Sequence, residues 1–204
     1  MSRPALDVSA LPTTAFGQRD PLFWGVLGIM SIEGAMFALM AASYFYLRGG
    51  ASVWPPAGVV HPGLGLTTAN LLILLASIVP MALAARAAKR YDLSAIRLWL
   101  IAATVLCVAV LAVRWTILQH LSFRWDSHAY GSLIWTTAVL HTVHVVTGTC
   151  ENLLFIVLLT RGPVEDKHMD DLWLNSLYWY FVVACWVPFY AIFFLDPGLL
   201  ATVR

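Results

Sequence analysis

The stretch "TTAVLHTVHVVTGTCEN", Thr136 to Asn152, decides how this chain is read. It sets two histidines and a glutamate in a run otherwise apolar enough to lie in lipid. On a helix each residue turns by about 100°, so i, i+3, i+4 and i+7 share a face. Thr137, His141, His144, Gly148, Glu151 and Asn152 then form one stripe, which Tyr130 extends outward. The other faces are dominated by Val, Leu, Ile and Phe. A polar seam on an apolar rod is expected to face protein rather than lipid.

Composition fixes the solvent. Of 204 residues, 60% are hydrophobic and 11% charged, and the mean hydropathy is +0.78. Soluble domains run at about 45–50% apolar and about 25% charged, so this chain is expected to be solvated by lipid or by partner subunits. Five apolar segments approach or exceed the roughly 20 residues a membrane helix needs. They are Leu22–Leu47, Leu66–Ala85, Leu98–Leu118, Ala129–Thr160 and Leu172–Leu195. None alternates with period two, which argues against a barrel. Lipid offers no partner to a bare backbone N–H, so each segment is expected to be helical. The fold class is all-α, a polytopic membrane bundle of five transmembrane helices.

The organisation follows. Residues 1–21 read as a polar cytoplasmic segment, 22–196 as the membrane domain and 197–204 as a short tail. Met1–Asp20 is polar, and the first apolar run is too long for a signal-peptide core, so that run is expected to stay as a span. Lys and Arg divide eight to four between the two sides. The larger set is Arg3, Arg19, Arg86, Lys89, Arg90, Arg97, Arg161 and Lys167; the smaller is Arg48, Arg114, Arg124 and Arg204. That bias puts the N-terminus inside and the C-terminus outside. A net charge of +1, without a basic run, gives no footprint for nucleic acid. Cys107, Cys150 and Cys185 lie singly in separate spans and make no Cys-x-x-Cys pair, so they are expected to be buried small apolar thiols. Pro80 and Pro188 lie within spans and are expected to bend them.

A second buried charge is Glu33, eleven residues past Leu22. An unpaired carboxylate at mid-bilayer costs about 2.5–3.5 kcal/mol even on the lenient insertion scale. Glu33 is therefore expected to face the His141–His144 seam, with Gly34, Ala38 and Ala42 allowing close helix approach. Three readings fit these groups. A metal site would use His-x-x-His with a carboxylate, but a second Glu-x-x-His is missing. A proton path would need a route longer than one acid and two histidines supply. The third is structural: satisfied groups that register helices and meet lipid heads or water. His141 and His144 share one face, which does not suit bis-histidine haem. His61, His120, His128 and His168 fall in expected loops or helix ends. No catalytic constellation stands out.

The sequence resembles subunit III of the haem–copper terminal oxidases, the cytochrome c oxidase subunit 3 family, in a short five-helix form. "IMSIEGAMF" matches the family's helix with its buried glutamate, here Glu33. "WPPAG", Trp54 to Gly58, matches the following loop, and "AYGSLIWTTAVLHTVHVVTG" the Tyr-Gly-Ser and His-x-x-His block. "LNSLYWYFVVACWVPFY" matches the last helix. The chain departs from the family at Tyr180, where a histidine is usual, and at Val183, where an aspartate is usual.

The resemblance implies a subunit with no catalytic site, metal or redox cofactor of its own. It would pack on the catalytic subunit I, which holds the haems and copper, with subunit II and small subunits nearby. It would bind phospholipid and support electron transfer to oxygen and proton translocation, in a bacterial inner membrane. Glu33, His141, His144, Glu151 and Asn152 are the expected polar seam for lipid or protons. Trp54, Tyr178, Trp179, Tyr180 and Trp186 are the expected subunit-packing residues. An accessory subunit of a nitric oxide reductase and a small stand-alone transporter remain the alternatives.

Overall fold

A computed structural model describes residues 21–60, 63–165 and 167–196. The expected N-terminal segment, the C-terminal tail and His61 lie outside the described residues. Every regular element among the described residues is helical: α1 Pro21–Gly50, α2 Leu64–Ala76, α3 Ile78–Ala88, α4 Leu93–Gln119, α5 Ala129–Arg161 and α6 Lys167–Tyr190, which runs on into a π-helical turn, Ala191–Leu195. Together α2 and α3 make one span, so five helical rods are long and apolar enough to cross a membrane. The protein is a multi-pass membrane protein.

The rods outrun the apolar segments because their polar ends remain helical. The last rod starts at Lys167 and the third at Leu93, each five residues before its apolar segment. Asp92 caps α4, its carboxylate accepting from Ala95 N at 3.0 Å and Ser94 Oγ at 2.7 Å, which satisfies an otherwise orphaned donor of the first turn. His128 does the same for α5, its Nδ1 accepting from Gly131 N at 2.8 Å. Pro80 has no N–H for the carbonyl of Ala76, and span 2 breaks at Ser77, between those two residues. Pro188 likewise precedes the π-helical turn by three residues.

The last rod is central. It packs on α3, α5, α1 and α2, while α4 packs on α2, α3 and α5. By contrast α1 touches chiefly α5 and α6 and buries only Phe37 and Tyr44. One expectation is corrected here. The small stripe of Gly34, Ala38 and Ala42 does not form the contact face of α1, since Ala38 and Ala42 are exposed. The inward face is Glu33, Phe37, Met40, Ala41 and Tyr44, and it packs through large side chains. Close approach occurs instead at Gly148 of α5, where a Cβ would stand 2.8 Å from two ring carbons of Trp179.

Candidate functional site

The seam on α5 is interior. Tyr130, Thr137, His141, His144, Gly148 and Asn152 are all buried, and Glu151 is half-buried. Its members face α6 and α1, and the opposite face of α5, with Val139, Val143, Val146 and Leu154, is exposed. A helix in lipid sorts its side chains this way because a polar group has no partner among acyl chains.

Glu33 of α1 meets this seam. Its Oε1 lies 3.5 Å from His144 Nε2, and its Oε2 accepts from the Tyr178 hydroxyl of α6 at 2.8 Å. His144 Nδ1 lies 2.7 Å from the Leu140 carbonyl and donates to it, which turns Nε2 toward the carboxyl. The imidazole and the tyrosine hydroxyl give the Glu33 carboxyl polar partners, so it is not isolated among apolar side chains at this depth. Glu33, Glu151 and Tyr178 line a cleft of about 430 Å³ among α1, α5 and α6, whose apolar walls include Val26, Ile29 and Phe155. Asn152 is not in that cleft; its Oδ1 accepts from Asn175 Nδ2 at 3.0 Å in the core.

His141 belongs to a second polar centre. Its Nε2 donates to the Val182 carbonyl at 3.0 Å, and its ring lies 4.7 Å from the Trp186 ring. Arg114 also meets Trp186, with the guanidinium carbon 3.7 Å from a ring centroid. Arg114 Nε and Nη2 both donate to Asn70 Oδ1, at 3.0 and 2.8 Å. Asn70 Nδ2 in turn donates to the Val110 carbonyl at 2.8 Å. Spans 2, 3, 4 and 5 are thus joined through Asn70, Arg114, His141 and Trp186.

This centre changes the reading of Arg114, which the Lys and Arg count assigns to the outer side. It is 3% exposed, inside α4. A long basic side chain near a span end normally snorkels to water; here Asn70 and Trp186 hold it inward. The available signal was on span 2, where Asn70 and Ser77 are seven apart and share a face. Trp179, expected in the core or at a subunit contact, and Trp186, expected at a subunit contact, are 1% and 3% exposed within this chain. Trp179 Nε1 donates to Ser77 Oγ at 3.0 Å, across the break in span 2. Trp54 is partly buried against Tyr44 and Tyr130, at ring separations of 5.5 and 5.2 Å. Tyr178 and Tyr180 are also only partly buried. Among the described residues, no three His, Cys, Asp or Glu side chains group as a metal site.

Residues 19–196 match the sequence profile of cytochrome c oxidase subunit III. The chain is similar to the cytochrome c oxidase subunit 3 of Synechocystis sp., at 23% identity over 88% of this chain and 77% of that protein. It is 26% identical to the Corynebacterium diphtheriae protein of the same name, over 84% and 87% of the two chains. It is also 28% identical to a probable cytochrome c oxidase subunit 3 of Nocardia farcinica, over 82% and 84%. With the profile spanning all five membrane helices, the chain belongs to the cytochrome c oxidase subunit III family.

Proposed function

We propose that this chain is a non-catalytic core subunit of a respiratory haem–copper oxidase, packed on the subunit that carries haem and copper. Family membership carries this reading. The internal pairing of Glu33 with His144 and Tyr178 supports it, because these three polar groups are spent on one another as in a scaffold. The catalytic subunit I is the principal neighbour, with subunit II and small subunits in the same complex. Phospholipid occupies the cleft beside Glu33 and Glu151; its apolar walls suit acyl chains, and its carboxyls suit headgroup amines or hydroxyls. The membrane is a bacterial plasma membrane, as the named bacterial relatives support. The N-terminus is cytoplasmic, since Arg86, Lys89, Arg90 and Arg97 crowd the turn between α3 and α4. Withdrawing buried Arg114 from the outer count strengthens that bias.

A complex assembled without this chain tests the reading. It is expected to start turnover near the normal rate and to lose activity sooner during sustained turnover, with readdition of the chain restoring the lifetime. An unchanged lifetime would contradict the proposal, as would failure to co-purify with haem-bearing subunits.

A further inference from the structure

Arg114 poses an electrostatic problem that its neighbours solve in part. A guanidinium stays protonated in proteins and cannot escape burial by losing its charge. Here the side chain is buried, with the residue 3% exposed. Its described partners are neutral: the Asn70 amide oxygen and the Trp186 ring face. Among the described residues no carboxylate pairs with it. Nη1 has no protein acceptor although it is buried. Such a donor left unmet costs about 1–3 kcal/mol, more for a charged group.

Arg114 also lines a cavity of about 10 Å³, with Thr67, Asn70, Ile134, Ala138 and Trp186 around it. A space of that size holds about one water-sized particle. A space of about 10 Å³ leaves no room for a lipid headgroup, and the uncompensated charge favours an anion over a neutral occupant. We propose that this cavity is a binding site for one small monatomic anion, of the chloride class, held by Arg114 Nη1 with Thr67 on its wall. The anion neutralises the guanidinium and pins spans 2, 3 and 5 around it. The site is separate from the Glu33 cleft, which α1, α5 and α6 form, and it does not depend on the oxidase reading.

The test uses the purified, detergent-solubilised full chain, at constant ionic strength, with sodium chloride exchanged for sodium gluconate. Gluconate is too large for the cavity. Ligand binding to the folded state stabilises logarithmically, so each tenfold rise in chloride above its dissociation constant is expected to raise the Tm by about 3–5 °C. Asn70→Asp supplies an internal counter-charge of the same shape. It should fold and melt at the same temperature in both salts. Should that variant fail to fold, crystals of the unaltered protein grown in bromide are expected to give an anomalous peak beside Nη1. Superimposable melting curves in chloride and gluconate would overturn the proposal, and so would bromide crystals with no anomalous peak at Nη1.

Discussion

Gly148→Ala should destabilise the bundle even though alanine is the better helix former. The new Cβ would stand 2.8 Å from Trp179 Cε3 and Cζ3, well inside any ordinary carbon contact. The ring cannot swing freely, because Trp179 is 1% exposed and its indole N–H is fixed on Ser77 Oγ at 3.0 Å. Removing glycine from a helix interior gains about 0.8–1.0 kcal/mol. Losing or stretching the indole hydrogen bond costs about 1 kcal/mol, which offsets that gain. What remains is the overpacking term, about 1–3 kcal/mol for an added methyl in a filled core. A chain of this size loses about 2–4 °C of Tm per kcal/mol. The assay is thermal melting of the purified protein in mild detergent, followed by intrinsic tryptophan fluorescence. Gly34→Ala is the control: its Cβ meets Phe181 at an ordinary 3.5 Å, so the variant should melt at or above the unaltered temperature. In a Trp179→Leu background the Gly148→Ala penalty should vanish, as a direct clash requires. A Gly148→Ala protein as stable as Gly34→Ala would falsify the close-packing account of the α5–α6 contact.

Further outcomes follow from the two polar centres and one cap. Asn70→Ala removes both acceptor contacts of a buried cation and is expected to cost about 3–5 kcal/mol, or to prevent accumulation of the folded chain, as read by expression and melting. Glu33→Gln keeps an acceptor for Tyr178 and should assemble normally; Glu33→Ala should leave initial oxidase turnover largely intact but shorten its lifetime or lower subunit yield. Complete loss of turnover in a fully assembled Glu33→Ala complex would point instead to a direct proton role. At the α3–α4 turn, the Ser94 hydroxyl and the Ala95 N–H hold the Asp92 carboxyl below its ordinary value of 3.8. A lowered folded-state pKa means stabilisation that is complete above about that pH and is lost as pH falls through the depressed value. Asn caps a helix without titrating, so Asp92→Asn should flatten the acid limb of the melting profile and change the neutral-pH Tm little.

The five spans were legible because lipid imposes a length and a composition that few other environments do. The seam was legible for a related reason: polar groups at i, i+3, i+4 and i+7 in an apolar run have one way to face. Glu33 could be tied to His144 by depth alone, since α1 and α5 cross the bundle in opposite senses. Arg114 was not legible. Five residues before the end of α4, it carries the same local signal as a snorkelling charge, and only Asn70, 44 positions away, distinguishes the two. Trp179 and Trp186 were ambiguous for a related reason, since an aromatic in the last span suits a core, an interface or a lipid boundary equally well. Ser77 in one case and Arg114 in the other decided it. The stripe of Gly34, Ala38 and Ala42 misled because small residues permit close packing without requiring it, whereas the placement of Glu33 requires Phe37 and Tyr44 to turn inward with it.

The most direct measurement is to purify the tagged full chain in mild detergent and record its optical spectrum together with the masses of whatever accompanies it. A scaffold subunit whose ionisable groups are neutralised internally should arrive with a large haem-bearing companion and contribute no absorbance of its own once separated from it. An isolated, colourless chain, or an iron or copper atom bound at His141 or His144 after separation, would contradict the account.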